Sequence, residues 1–143
     1  MTPVFDFSCQ LLLLSGSVVL LIALIAGYPY GHAITTNAPE ATIRAWRLAH
    51  SSLAIGGTSS LAIGATLPWL HAGGWERPFI AWSFTVSGLA FALALPYGAW
   101  KGHRGLVAEG PFDNWTVYVG NVLGAGSSLA GAVALVYSVI RYW

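Results

Sequence analysis

The sequence predicts an all-α fold, an integral membrane four-helix bundle of up-and-down topology, and three observations carry that prediction. Only 8% of the 143 residues are charged, 56% are hydrophobic, and mean hydropathy is +0.67. A soluble domain carries roughly 25% charged residues. Six Lys/Arg and five Asp/Glu cannot clothe a domain of this size, so lipid is the solvent for most of the surface. Second, four apolar stretches each reach the ~20 residues that cross a bilayer at ~1.5 Å per residue. Third, the connections between them are short, which favours antiparallel neighbours and places both termini on one side.

The first helix is expected from about Cys9 to Tyr28, through Leu11–Leu14 and Val18–Ile25. Tyr28-Pro29-Tyr30-Gly31 reads as its stop, because Pro and Gly break helices and tyrosines suit the membrane interface. The preceding Met1–Ser8 has no Lys or Arg and carries Asp6, so this run reads as a retained helix rather than a cleaved signal peptide. Cys9 is the single cysteine, which excludes an intrachain disulfide and any multi-cysteine metal site, and it reads as a buried apolar residue.

The second helix is expected from about Glu40, after Pro39, to Leu70, with the acidic residue in its first turn. That length exceeds the hydrocarbon thickness, so Glu40, Arg44 and Arg47 project into headgroups or water, while Trp69 and Trp75 mark the far interface. The third runs from about Arg77 to Trp100, with Pro96 able to kink it. The fourth runs from about Asn114 to Tyr142, with Asp113 as its cap and Trp115, Tyr118, Tyr142 and Trp143 near its ends. Arg44, Arg47, Lys101 and Arg104 lie on one side and Arg77 and Arg141 on the other, a bias that places the termini outside. Net charge is +1 with no basic stripe, which argues against nucleic acid as a partner.

Helix two carries Ser51, Ser52, Ala54, Gly56, Gly57, Ser59, Ser60 and Gly64; helix four carries Gly120, Gly124, Gly126, Ser127, Ser128 and Gly131. Small residues at this spacing let backbones approach closely. For helix four the expectation is packing; for helix two it is either packing or room for a flat cofactor.

The chemistry-bearing residues are few. No P-loop, dinucleotide fingerprint, Ser-His-Asp set or HExxH pattern is present, and no buried acidic pair suggests a proton path. Of the four histidines, His50 alone falls within helix two near one end of its span. A histidine at membrane depth is a site candidate; the alternative is a packed, hydrogen-bonded side chain. Trp46, His50, Ala54, Gly57 and Leu61 lie on one stripe, and the small residues after His50 would leave space for a macrocycle, as axial ligation of haem requires. Arg47 could pair with the propionates of such a group, and Arg104 and Lys101 read either as topology charges or as holding an anionic cofactor edge. His71 lies 21 residues from His50, roughly 30 Å along a helix, so the two cannot share one haem within a subunit. His32 and His103 read as loop histidines on the side of His50, either solvated or supplying a second ligand. Asn121 in helix four needs a partner and is read as interhelical glue or a substrate contact.

These segments resemble the styrene oxide isomerase family, small four-helix membrane proteins of bacterial aromatic catabolism. Ala45-Trp46-Arg47-Leu48-Ala49-His50-Ser51 resembles the family's Trp-Ala-Arg-Ala-His-Ser run, and Leu67-Pro68 its Leu-Pro at the same distance. Arg104-Gly105-Leu106 followed by Gly110-Pro111 resembles its Arg-Gly-Leu…Gly-Pro loop. The resemblance implies a homotrimer in the bacterial inner membrane with haem b at subunit interfaces, His50 as axial iron ligand and a small apolar epoxide as substrate. It implies ferric iron acting as Lewis acid, ring opening to a benzylic cation and a hydride shift to the aldehyde. The family's pocket asparagine falls on Gly56, and its helix-three aspartate and tyrosine fall on Ser87 and Leu95, with Tyr97 two residues away on roughly the opposite face. Ser87, Tyr97 and Asn121 are therefore the remaining polar candidates for the substrate. A non-enzymatic haem protein for electron transfer, gas sensing or haem handling, and a cofactor-free structural subunit, are the alternative expectations.

Overall fold

Four helices build the chain: α1 (Phe7–Thr35), α2 (Glu40–Thr66), α3 (Glu76–Lys101) and α4 (Phe112–Tyr142), with a 3₁₀ turn at Leu67–Trp69 closing α2. The structure, a computed structural model, describes residues 6–70 and 74–142; the expectations for Met1–Phe5, His71 and Trp143 lie outside the described residues. Among the described residues there is no strand.

α1, α3 and α4 are each long and apolar enough to cross a membrane. α2 is of similar length, but Ser51, Ser52, Thr58, Ser59 and Ser60 dilute it, so among the described residues three helices meet that standard rather than the four expected. Several of its hydroxyls are satisfied locally. Ser51 donates to the Arg47 carbonyl at 2.8 Å, Thr58 to Ala54 at 2.8 Å and Thr66 to Ala62 at 2.8 Å. Back-bonding of this kind lets a hydroxyl-rich helix avoid unpaired polar groups in an apolar medium.

The helix ends correct several sequence expectations. α1 does not stop at Tyr28-Pro29-Tyr30-Gly31 but continues to Thr35. Pro29 removes one ladder donor, yet the turn it sits in is held from outside, because the Tyr30 ring packs on α2. Asn37 supplies the stop instead: it takes φ 51°, and Ala38 N–H donates back to the Ala33 carbonyl at 2.9 Å. His32 is thus an exposed residue of the last turn of α1, stacked on Tyr28, and not a loop residue. α3 ends at Lys101 with Gly102 in the left-handed region. α4 begins at Phe112, so Asp113 lies inside its first turn rather than capping it; its carboxylate accepts from the Tyr97 hydroxyl and pairs with Lys101 at 3.6 Å.

α3 packs against every other helix, α1 also packs against α2, and α2 and α4 stand apart on the flanks. Glycines set the close approaches. A Cβ on Gly57 would fall 2.8 Å from Leu20 N and 2.9 Å from the Gly16 carbonyl, so α1 and α2 meet backbone to backbone. On the other flank a Cβ at Gly120 would lie 2.6 Å from that of Ala94, and at Gly124 2.8 Å from the Phe91 ring. Of helix four's small residues, Gly120, Gly124 and Gly131 therefore pack on α3 as expected, whereas Gly126 meets nothing within 4 Å and Ser128 lines a cleft. Two buried clusters fill the bundle: Cys9, Leu12, Leu67, Ile80, Ala81 and Ala134 near the termini, and Val19, Ala23, Leu53 and Ala92 at mid-depth. A buried hydrogen bond between Ser15 and Thr85, 3.0 Å, ties α1 to α3.

The start of α1 and the end of α4 share one end of the bundle, which charges fasten. Asp6 caps α1 by accepting from Cys9 N–H at 3.1 Å and pairs with Arg77 at 3.5 Å; Arg77 also donates to the Leu70 carbonyl at 2.9 Å. Glu76, only 1% exposed, accepts from Arg141 at 3.1 Å. Arg77 and Arg141, which the sequence suggests only as topology charges, are thus structural ties between α1, α3 and α4. Asp6 is partly desolvated, which works to raise its carboxyl, but the Cys9 hydrogen bonds and the Arg77 guanidinium outweigh that and hold it below the ordinary 3.8.

Candidate functional site

The candidate residues divide between two faces of α2. The first is the seat of His50 against α1. Its Nδ1 lies 2.8 Å from the Ala23 carbonyl oxygen. A carbonyl only accepts, so Nδ1 carries the proton and the neutral ring keeps its lone pair on Nε2. Gly27 makes room for the ring: a Cβ there would stand 3.3 Å from both His50 Cε1 and Nδ1. Tyr30 stacks on His50 with centroids 6.1 Å apart, and its hydroxyl accepts from Arg47 Nε at 3.1 Å. Among the described residues Nε2 has no hydrogen-bond partner, and it is not sealed from the surface of the half-buried ring.

The stripe around His50 serves packing more than the sequence suggests. Ala54 packs on the mid-depth cluster, and α1 already fills the space at Gly57. Gly57 therefore leaves no room for a macrocycle within one protomer, and the open side of His50 is the outer surface where α1 and α2 meet. Trp46 is half-buried one turn before it. A single histidine with a carbonyl-fixed tautomer and an unpartnered Nε2 fits an axial haem ligand. Among the described residues no group of three or more His, Cys, Asp or Glu could hold a bare ion.

The second feature is an apolar cleft of about 1310 Å³ between α2 and α4, floored by α3. Its walls include Leu53, Ile55, Phe84, Phe91, Leu95 and Val122, and Gly56 opens onto it: a Cβ at Gly56 would meet nothing within 4 Å. Ser87 and Tyr118 also line it, and among the described residues neither hydroxyl has a hydrogen-bond partner. Arg44, Arg47, His103 and Arg104 stand at one end of it. His50, Trp46, Ala54 and Gly57 do not line it, so one copy of the chain does not bring the histidine and the cleft together.

Of the polar candidates, Ser87 faces the cleft, whereas Tyr97 does not: α3 runs unbroken through Pro96, and Tyr97 is turned to Asp113. Asn121 lines the cleft but is an anchor for the loop rather than glue between helices. Its Nδ2 donates to the carbonyls of Arg104 and Gly105 at 3.1 and 3.2 Å, and among the described residues its buried Oδ1 has no partner. This explains the Arg-Gly-Leu loop. Gly105 takes φ +56°, and a Cβ there would fall 2.5 Å from Tyr118 N, so only glycine lets the loop lie on α4. Asn114 completes the anchor, accepting from Gly105 N–H at 3.1 Å and donating to Glu109 O at 2.7 Å.

Sequence reasoning missed Tyr30, Gly27 and Tyr118 as site residues. The first two had a signal, since Ala23, Gly27 and Tyr30 are spaced to share one face of α1; Tyr118 had none, because only the helix rotation decides that it faces the cleft.

A family model described as styrene oxide isomerase matches residues 8–140. No curated protein and no solved structure matches.

Proposed function

The chain belongs to the styrene oxide isomerase family, and on that premise we propose that it is a haem b-dependent isomerase of the membrane that converts a small apolar epoxide to the aldehyde. The observation that supports the cofactor is His50, a histidine whose Nδ1 is committed to the Ala23 carbonyl and whose Nε2 has no partner among the described residues. His50 would hold the iron, and Arg47 and Arg104 are the cations nearest in role to an anionic cofactor edge. Ferric haem, when bound, supplies a Lewis acid for the epoxide oxygen without proton bookkeeping.

The remaining work falls to the protein. In the rearrangement a carbon–oxygen bond breaks, hydride moves to the adjacent carbon and the carbonyl forms, so atoms and electrons balance without water or a redox partner. Water would trap the cation as a diol, and the apolar cleft walls would disfavour it once a second copy covers the cleft. The hydroxyls of Ser87 and Tyr118 are the donors positioned to orient an oxygen there. Because His50 and the cleft lie on different faces, the reading requires the cleft of one copy against the histidine face of another. That is how a homotrimer with haem at its interfaces would work, and the bacterial inner membrane is its proposed location.

A second reading, a haem protein without isomerase activity, draws on Gly56 and Leu95, which leave the cleft poorer in polar groups. The visible spectrum of detergent-purified protein separates the two. A Soret band that shifts with styrene oxide, followed by aldehyde formation, is expected; a Soret band that no epoxide perturbs supports the second reading. His50→Ala should abolish haem uptake, and full haem content in that variant would refute the ligand assignment.

A further inference from the structure

We infer that Gly27 and Tyr30 of α1 are positioning residues for His50. They fix its ring in the Nδ1–H tautomer before any cofactor arrives and so aim the Nε2 lone pair outward. The inference deepens the haem reading and rests on it only for its functional consequence. Three contacts carry it. The 2.8 Å approach of Nδ1 to the Ala23 carbonyl needs the ring to lie against the α1 backbone. That approach exists because Gly27 has no side chain, since a Cβ would sit 3.3 Å from Nδ1 and Cε1. A face of the ring is stacked by Tyr30, which Arg47 holds twice, by the 3.1 Å hydrogen bond from Nε and by its guanidinium 5.9 Å from the ring centroid. Ala23, Gly27 and Tyr30 follow one another at i, i+4 and i+7, so a single stripe of α1 forms carbonyl, floor and clamp.

This assignment also accounts for the unbroken course of α1 through Pro29. Had the helix ended at Tyr28, Tyr30 would not stand one turn beyond Gly27 to meet the imidazole. An imidazole whose far nitrogen donates to a carbonyl is a more basic ligand of fixed orientation, and disturbing such a donor–acceptor pair lowers metal affinity by about 10–100-fold.

The test is nitrogen-15 NMR of histidine-labelled protein in micelles without haem, at about pH 8.5, where an ordinary imidazole is neutral. His50 is identified by the signal lost in His50→Gln. The wild type should show a protonated Nδ1 and an unprotonated Nε2. Gly27→Val should shift both nitrogens toward the averaged values of exchanging tautomers, and Tyr30→Leu should do so in part. Gly31→Val serves as the control for adding bulk to the same helix, since a Cβ at Gly31 meets nothing within 4 Å, and it should leave the signals in place. A wild-type His50 protonated on Nε2, or a Gly27→Val protein with unchanged nitrogen shifts, would overturn the inference. Haem titration of the same proteins separates it from the cofactor reading. A fixed Nδ1–H tautomer in a protein that takes up no haem upholds the seat and removes the cofactor, and haem uptake by a wild type protonated on Nε2 does the reverse. If both stand, Gly27→Val should bind haem about 10–100-fold more weakly.

Discussion

Replacing Gly57 by alanine distinguishes two jobs for a small residue on α2. If it leaves space for a cofactor, the substitution should spare the empty protein and harm only haem uptake. The structure assigns it to packing instead. The added Cβ would lie 2.8 Å from Leu20 N, 2.9 Å from the Gly16 carbonyl and 3.0 Å from Leu20 Cα, all of them backbone atoms that cannot swing aside. Ordinary contact begins at 3.4 Å, so α1 and α2 must part by at least 3.4 − 2.8 = 0.6 Å. Overpacking of this kind costs about 1–3 kcal/mol. The same displacement, carried two turns along the helix pair, would stretch the His50–Ala23 hydrogen bond from 2.8 to about 3.4 Å, beyond good geometry, and cost a further ~0.5–1.5 kcal/mol. The expected total is about 1.5–4.5 kcal/mol. Thermal unfolding of haem-free protein in detergent, followed by circular dichroism, measures it. A Gly57→Ala protein that melts with the wild type yet loses haem would contradict the packing role and restore Gly57 to the cofactor.

Two further outcomes follow from the fold. Gly105→Ala should detach the α3–α4 loop, because it places an L residue at φ +56° and a Cβ 2.5 Å from Tyr118 N; a loss of about 2–5 kcal/mol is expected, and protease susceptibility at residues 102–111 that does not rise would count against it. Asp6, whose carboxyl is held below the ordinary 3.8, contributes stability that is present above that value and fades as pH falls through its lowered folded value. Asp6→Asn keeps an N-cap but not the charge, so the gap between variant and wild-type unfolding midpoints at neutral pH should narrow as pH falls below 3.8 and close below the lowered folded value; a gap independent of pH would rule out the Asp6–Arg77 pair as its source.

The helices themselves were legible because burial in lipid leaves a composition signal that no tertiary detail alters. Their ends were less so. Tyr28-Pro29-Tyr30-Gly31 carries every local mark of a stop, and the helix continues because Tyr30 gains the His50 ring and Arg47 on the neighbouring helix. Gly57 and Gly56 are adjacent and identical in sequence terms, yet one is pressed against α1 and the other opens on the cleft. Tyr97, close in number to the position where a polar group was sought, is claimed by Asp113.

Three properties were therefore readable from the chain without coordinates: that it is a helical membrane protein, that His50 is the histidine set within helix two, and that its motifs and their spacing resemble one family. They follow from composition, from hydrophobic run length and from residue identity, each of which is local in the chain. Three others emerged solely from the packed helices: which nitrogen of His50 is free, which small residues pack and which leave space, and that histidine and cleft lie on different faces of α2. Those outcomes depend on the rotation of each helix about its axis, and neighbours distant in sequence set that rotation: Gly16 and Leu20 against Gly57, Ala23 and Gly27 against His50, and Phe91 against Gly124.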